Sequence, residues 1–355
     1  MAKVAIIIPT MNRPDFILRQ FEFYELMNSP HPIYIQDSSS EENAEKLKNG
    51  INKFKKLSIT YQWAPPGKDR LYQLLPLVKE KYCLQMGDDD LIIPKTISEC
   101  ADFLEEHPDY ATCTGKQVNI RFRCEDFNKP FGIIERQTRP FGRSLEDKDM
   151  FARIKNFYSD TFFIGFMVTR TEIEKEIREI TKHFSLMEFM LEFILMSILI
   201  TSGKSKCLDK LGYIMQISDN RYGFVHNLAV DMIVSPDFGE KWKVCEKGLE
   251  KVVGEKVGSE EERSKVIKWL LAAFLAYQFS REAGAYSSIV QTHAPTVPAK
   301  KNLYKKFRNL ISNHYKIKKL FYKFKSLTSP SDIESAYFKD FETVKDFLEN
   351  KKHRF

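Results

Sequence analysis

The feature that most constrains this chain is an alternation. Over roughly the first 115 residues, short apolar runs alternate with segments of helical spacing. Residues 3–9 form a continuous apolar run closed by Pro9, the pattern of a strand buried on both faces. Residues 15–27 follow with Phe16, Phe23 and Leu26 at helical spacing. Residues 32–36 read as a second strand and 41–54 as a polar helix. Residues 57–63 read as a third strand, with Leu57, Ile59, Tyr61 and Trp63 on one face. Residues 70–81 read as a helix and 82–86 as a fourth strand. Strands separated by helices of this length join right-handed into a parallel sheet, and such sheets bind ligands beyond the C-terminal ends of their strands. Three polar clusters fall at those ends: Thr10-Met11-Asn12-Arg13, Asp37-Ser38-Ser39-Ser40 and Gly87-Asp88-Asp89-Asp90. The expected fold class is therefore α/β, a mostly parallel nucleotide-binding sheet flanked by helices, with a helical C-terminal extension.

The rest of the chain is less regular. Residues 116–149, rich in Arg, Pro and Gly, suggest loops and edge strands. A strand is expected over 161–169, helices over 172–182 and 185–201, and a strand over 211–217. Residues 225–288 read as mostly helical, and two prolines within 292–298 mark a linker. The expected division is 1–217 for the sheet domain (nucleotide half 1–115, acceptor half 116–217), 218–294 for a helical extension and 295–355 for a basic tail.

Composition excludes several classes. With 43% apolar and 13% aromatic residues in 355, the chain can bury a sizeable core. Six scattered cysteines without a C-x-x-C pair argue for reduced thiols in the cytoplasm, against both a disulfide framework and a zinc site. The opening MAKVAIIIPT is too short for a signal peptide. Residues 184–200 carry Glu188 and Glu192, and 266–279 carry Lys268. Neither reaches the ~20 uninterrupted apolar residues of a membrane span, so both read as buried helices.

Gly87-Asp88-Asp89-Asp90 carries the strongest chemical signal. Three successive carboxylates repel one another unless a cation or donors neutralise them. Mg²⁺ and Mn²⁺ prefer carboxylate oxygens and also bridge phosphates. The alternative is a solvated acidic turn, which fits poorly between the apolar residues Tyr82-Cys83-Leu84 and Leu91-Ile92-Ile93-Pro94.

VAIIIPTMNRP, IYIQDSSS, GKDRLYQL and YCLQMGDDDLIIP, in this order and spacing, resemble the inverting family 2 glycosyltransferases of GT-A fold. The likeness covers residues 3–94 closely and extends loosely to about residue 204. It implies that Pro9, Thr10, Asn12 and Arg13 cradle a nucleoside, that Asp37 bonds the base, often uracil, and that Lys68 and Arg70 lie near the nucleotide. It further implies that Asp88, Asp89 and Asp90 serve the diphosphate and a divalent metal. Gly87 stands where the family often has an Asp, which leaves the division of labour among the three acids open; Asp88 and Asp90 also form a D-x-D pair. Structural alternatives stand beside these roles. Asp37 before serines suits an Asx-turn, Thr10 and Asn12 suit helix caps, and Arg70 suits a solvated helix start.

An inverting transfer needs a base to deprotonate the acceptor hydroxyl. The resemblance places it after a strand in the second half, where Glu188 opens an apolar helix; Glu192, one turn on, and Asp160 are the other candidates. Glu188 also suits a helix N-terminal charge placed by the macrodipole. His226 is a candidate late metal ligand. The +7 net charge is local: ten Lys and Arg lie in 300–325, no acid stands between Glu282 and Asp332, and the remainder of the chain carries −3. Leu303, Phe307, Leu310, His314, Ile317, Phe321 and Phe324 give this stretch an apolar helical stripe. It suits either an anionic membrane surface or packing on the protein, and no recognition motif points to nucleic acid.

The expected function is inverting transfer of a sugar from a nucleotide-diphosphate sugar, UDP-linked, to a glycan or lipid-linked hydroxyl. The location is cytoplasmic or peripheral on the inner membrane face. The rivals are a catalytically inactive nucleotide-sugar-binding module and a sugar nucleotidyltransferase. The latter would want a glycine-rich phosphate loop, and Thr10-Met11-Asn12-Arg13 has no glycine.

Overall fold

The computed structural model describes residues 3–65, 71–123, 126, 129–159, 166–181, 188–217, 233–254, 257, 259–293 and 335–350. In chain order these form β1 (Val4–Thr10), α1 (Pro14–Leu26), β2 (Ile33–Asp37), α2 (Glu41–Ile51), β3 (Ile59–Trp63), α3 (Leu71–Leu74) with a 3-10 turn (Leu75–Leu77), and β4 (Tyr82–Gln85). There follow β5 (Leu91–Ile92), α4 (Pro94–Glu106), β6 (Tyr110–Phe122), β7 (Ile134–Gln137), α5 (Met150–Ser159), β8 (Val168–Arg170), α6 (Thr171–Thr181), α7 (Glu188–Ser202) and β9 (Lys204–Gln216). The last elements are α8 (Phe238–Gly254), α9 (Glu260–His293) and α10 (Ser335–Glu349).

One sheet runs β3-β2-β1-β4-β8-β6-β9-β5, with β7 paired to β6. β1 to β4 are mutually parallel, as the alternation predicts. Thr10 pairs with Asp37, and Asp37 with Trp63, so their C-terminal ends lie level. β1 is apolar throughout because both its faces are covered. Val4, Ile6 and Ile8 join a core with α1, α2 and α4, while Ala5 and Ile7 pack with Leu74, Leu75 and Val78 on the other side. The helix expected over 70–81 stops early: Pro76 cannot donate a helical hydrogen bond, and Val78 is extended.

Residues 116–122, expected among loops and edge strands, form the second half of β6, which lies inside the sheet and not at its edge. This 13-residue strand runs parallel to the equally long β9 and antiparallel to β7 and β8. Its polar residues hid it from period-based reading, because the pairing itself holds them in a strand. The two backbones come so close that a Cβ on Gly115 would lie 2.8 Å from Gly212 Cα, where the ladder shifts register.

A second apolar cluster joins α5, α6, α7, α8 and α9, so the described parts of the two apolar stretches weighed as membrane spans lie in core helices. Among the described residues no helix is long and apolar enough to cross a membrane. Helix α10 returns to the first core. Tyr337, Phe341, Val344, Phe347 and Leu348 are buried there, and the Phe347 ring lies 5.2 Å from that of Phe23 and 5.5 Å from that of Phe131. The described residues of α10 therefore pack in the first core.

Candidate functional site

The level strand ends bring the three polar clusters together. Thr10 Oγ1, at the end of β1, donates to Asp88 Oδ2 at 2.9 Å. Arg13 donates from Nη1 to Asp88 Oδ1 at 2.6 Å and from Nη2 to Asp89 Oδ2 at 3.0 Å, with its guanidinium 4.1 Å from the centre of the Phe16 ring. Thr10 thus serves the acidic turn and does not cap α1. Asn12, in the left-handed region at φ 57°, donates its N–H to Ser39 Oγ and accepts from Ser40 N and Asn43 Nδ2. It staples the first loop to the second, again without capping α1.

Asp37 is fully buried. Its Oδ1 accepts from Ser39 N at 2.8 Å, the Asx-turn bond, and its Oδ2 accepts from the Tyr61 hydroxyl at 2.7 Å. Burial, with Asp37 adding to it, raises the Tyr61 hydroxyl far above its ordinary range and keeps it a donor. Trp63 Nε1 donates to Ser39 O at 3.0 Å. The third strand therefore supplies two aromatic residues to the loop after β2.

The three acids occupy different environments. Burial pushes the Asp88 carboxyl up to about 6, with Arg13 pulling it the other way. For Arg13, burial works against the charge, but Asp88 and Asp89 outweigh it and hold the guanidinium above its ordinary value. Asp90 turns inward: its Oδ2 accepts from the Tyr213 hydroxyl at 2.5 Å and its Oδ1 from Gln216 N at 3.0 Å, both on β9. Asp89 is the open one, since no donor among the described residues reaches its Oδ1. Gly87 makes the turn possible. A Cβ there would lie 2.8 Å from Asp90 Oδ2 and 3.1 Å from Asp89 Oδ1, so the Asp common at this position in the resembled family would collide with its own neighbours.

Beneath the turn lie two buried polar residues of α1. Gln20 Nε2 donates to Gly87 O and Asp90 O, both at 2.8 Å, and Arg19 Nη2 donates to Asp89 O at 2.6 Å. Arg19 Nη1 also reaches Pro130 O and Gln216 Oε1. Burial lowers the Arg19 guanidinium to about 10, with Asp89 and Asp90 opposing the shift. Sequence reasoning missed Arg19, Gln20, Tyr61, Tyr213 and Gln216. An available signal was Arg19-Gln20 set inside the run Phe16-Ile17-Leu18 to Phe21, since a polar pair on an apolar helix face is buried for a reason.

The metal expectation can be set against these donors. Among the described residues no three His, Cys, Asp or Glu side chains form a group able to hold an ion. The hard-cation chemistry still fits at Asp89 Oδ1, because Mg²⁺-type ions are often held by one or two carboxylates plus substrate phosphates and water. Glu188 is the first residue of α7 and Glu192 stands one turn later. Lys68, Arg70, Asp160, His226 and the basic stretch 300–325 lie outside the described residues.

No family model matches the chain, and no curated protein sequence does. Solved structures do match in fold. S. aureus TarS 1-349 is 16% identical with a TM-score of 0.52, covering 86% of this chain and 77% of its own. TarS 1-349 in complex with UDP-GlcNAc is 15% identical, also with a TM-score of 0.52, covering 83% and 76%. The mixed sheet flanked by helices is thus the GT-A fold of glycosyltransferases, the fold the resemblance implied.

Proposed function

We propose that this chain is an inverting family 2-type glycosyltransferase. It moves a sugar from a nucleotide-diphosphate sugar to a hydroxyl of a glycan or lipid-linked acceptor. The observation that carries the reading is the convergence of Thr10, Arg13, Asp37 and the 87–90 turn at one level edge of parallel strands. A UDP-linked donor accords with the UDP-GlcNAc complex of TarS. The nucleoside lies against Thr10, Asn12 and the end of β2, where the buried Asp37 holds the loop through Ser39 and Tyr61. The diphosphate lies at Arg13 and the acidic turn, with Lys68 and Arg70 as further candidates to meet it.

Mg²⁺ or Mn²⁺ at Asp89, with Asp88 beside it, would offset the charge that develops on the departing diphosphate. Arg13 contributes a fixed positive charge to the same group, and Asp90, tied to β9, holds the turn. The proposed base is Glu188 on α7, with Asp160 and Glu192 as alternatives; it takes the acceptor proton as the hydroxyl attacks the anomeric carbon. The basic stretch 300–325 is proposed to meet an anionic membrane surface on the cytoplasmic side.

The test is a thermal-shift panel of nucleotide sugars with and without Mn²⁺, followed by transfer assays with the stabilising donor. Stabilisation by one donor and measurable transfer are expected. Donor binding with neither hydrolysis nor transfer would favour the inactive binding module. For the membrane surface, four charge reversals at Lys316, Lys318, Lys319 and Lys323 are the suitable perturbation, because truncation at 298 also removes α10 from the core. Unchanged binding to anionic vesicles would sink that part.

A further inference from the structure

Two of the buried polar atoms that have no hydrogen-bond partner among the described residues are Gln20 Oε1 and Arg19 Nε. Both side chains are essentially without solvent exposure, and they stand among Ile17, Leu18 and Phe21 on the core face of α1. An orphaned buried polar atom costs about 1–3 kcal/mol, so a Leu or Met would suit either place better if packing alone decided. The atoms of these side chains that are satisfied share a destination. Three of the four carbonyls of the acidic turn, those of Gly87, Asp89 and Asp90, accept from them.

Holding a carbonyl fixes its peptide plane, and the plane fixes where the flanking Cα–Cβ bonds point. With the carbonyls of 87, 89 and 90 held from below and the Asp90 carboxylate held by Tyr213 and Gln216 N, Asp89 Oδ1 is the carboxylate oxygen of the turn to which no donor among the described residues is bonded. Arg19 adds a buried positive charge under three successive acids and lessens their mutual repulsion. We infer that Gln20 and Arg19 are positioning residues, which set the orientation of the Asp88-Asp89-Asp90 carboxylates toward the donor's diphosphate without touching it. This rests on the function proposed above.

The test is Gln20→Met, which keeps length and apolar volume and removes the donor together with the orphaned Oε1. Ile17→Val on the same helix, also fully buried and with no polar group to hold a carbonyl, is the control for core loss. Two measurements are made on the full chain. Amide hydrogen exchange over residues 86–92 is expected to quicken about tenfold in Gln20→Met and not in Ile17→Val. Transfer is expected to lose ~10-fold or more in kcat with acceptor KM changed less than about twofold, because small misplacements of charged groups act on the transition state. Should the Met variant not fold, Gln20→Asn keeps the amide one methylene farther from the carbonyls, and the same two changes are expected. Exchange in the turn equal to that of Ile17→Val, or wild-type kcat, overturns the inference. If the wild-type chain transfers sugar from no donor, the glycosyltransferase reading falls, and the exchange comparison alone decides whether Gln20 positions the turn.

Discussion

Gly87→Ala tests the acidic turn directly. The added Cβ would lie 2.8 Å from Asp90 Oδ2, closer than real contacts allow, and 3.1 Å from Asp89 Oδ1. Gly87 is not among the positive-φ residues, so alanine brings no backbone strain, and restricting the unfolded chain gives back about 0.4–1 kcal/mol. The contact cannot be relieved cheaply, because Asp90 Oδ2 is held by Tyr213 and Oδ1 by Gln216 N. Moving the carboxylate away disrupts a bond to a charged acceptor, which contributes about 1.5–3 kcal/mol. The net expectation is a loss of about 1–2 kcal/mol, a fall in Tm of roughly 1–3 °C for a chain of 355 residues. Calorimetry on the wild type, Gly87→Ala, Tyr213→Phe and the double variant forms a cycle. Because both single changes act on the same oxygen, the double variant should lose about 1 kcal/mol less than the two losses added. A Gly87→Ala variant with wild-type Tm, or strict additivity with Tyr213→Phe, would refute the account of why glycine stands here.

Phe347→Ala should cost about 3–5 kcal/mol in urea unfolding, as for a core phenylalanine, and a loss under 1 kcal/mol would mean α10 is not part of the core. Glu22, whose Oε2 is buried without a partner, is pushed by burial from 4.5 up to about 7, with Lys53 opposing. Since its folded value is raised, its contribution to stability is lost as pH rises from about 4.5 to 7. Glu22→Gln should therefore match wild type at pH 4 and exceed it at pH 8 by at most ~1 kcal/mol after solvent screening, which melting curves at the two pH values will check. Glu188→Gln should lower turnover by ~10²-fold with donor binding retained in calorimetric titration; full turnover would move the base to Asp160 or Glu192.

Much of the N-terminal half was legible in the sequence. The apolar runs at 3–9 and 82–86 became β1 and β4, and the three polar clusters met at one edge, because burial on both faces leaves an unbroken apolar signature and strand ends are where it must stop. The Asx-turn reading of Asp37 was also legible, since that bond spans only two residues. The second half of β6 was not, because its strand state comes from pairing with β9, almost a hundred residues away, and no local periodicity encodes such a pairing.

The sequence by itself determined the α/β alternation, the acidic turn at the end of β4 and the two clusters that face it, all of which follow from local pattern and chain order. Only the tertiary structure decided how the three acids differ. Asp88 is joined to Thr10 and Arg13, Asp90 is turned inward to Tyr213 and Gln216, and Asp89 is left with an open oxygen. It also decided that α10 closes the core built by α1 and that Arg19 and Gln20 reach up to the turn from beneath. The reason is physical. A carboxylate's character is set by whatever donors and dielectric surround it, and here the partners lie 67 residues away for Gln20 and 126 for Gln216, so that packing alone brings them into contact.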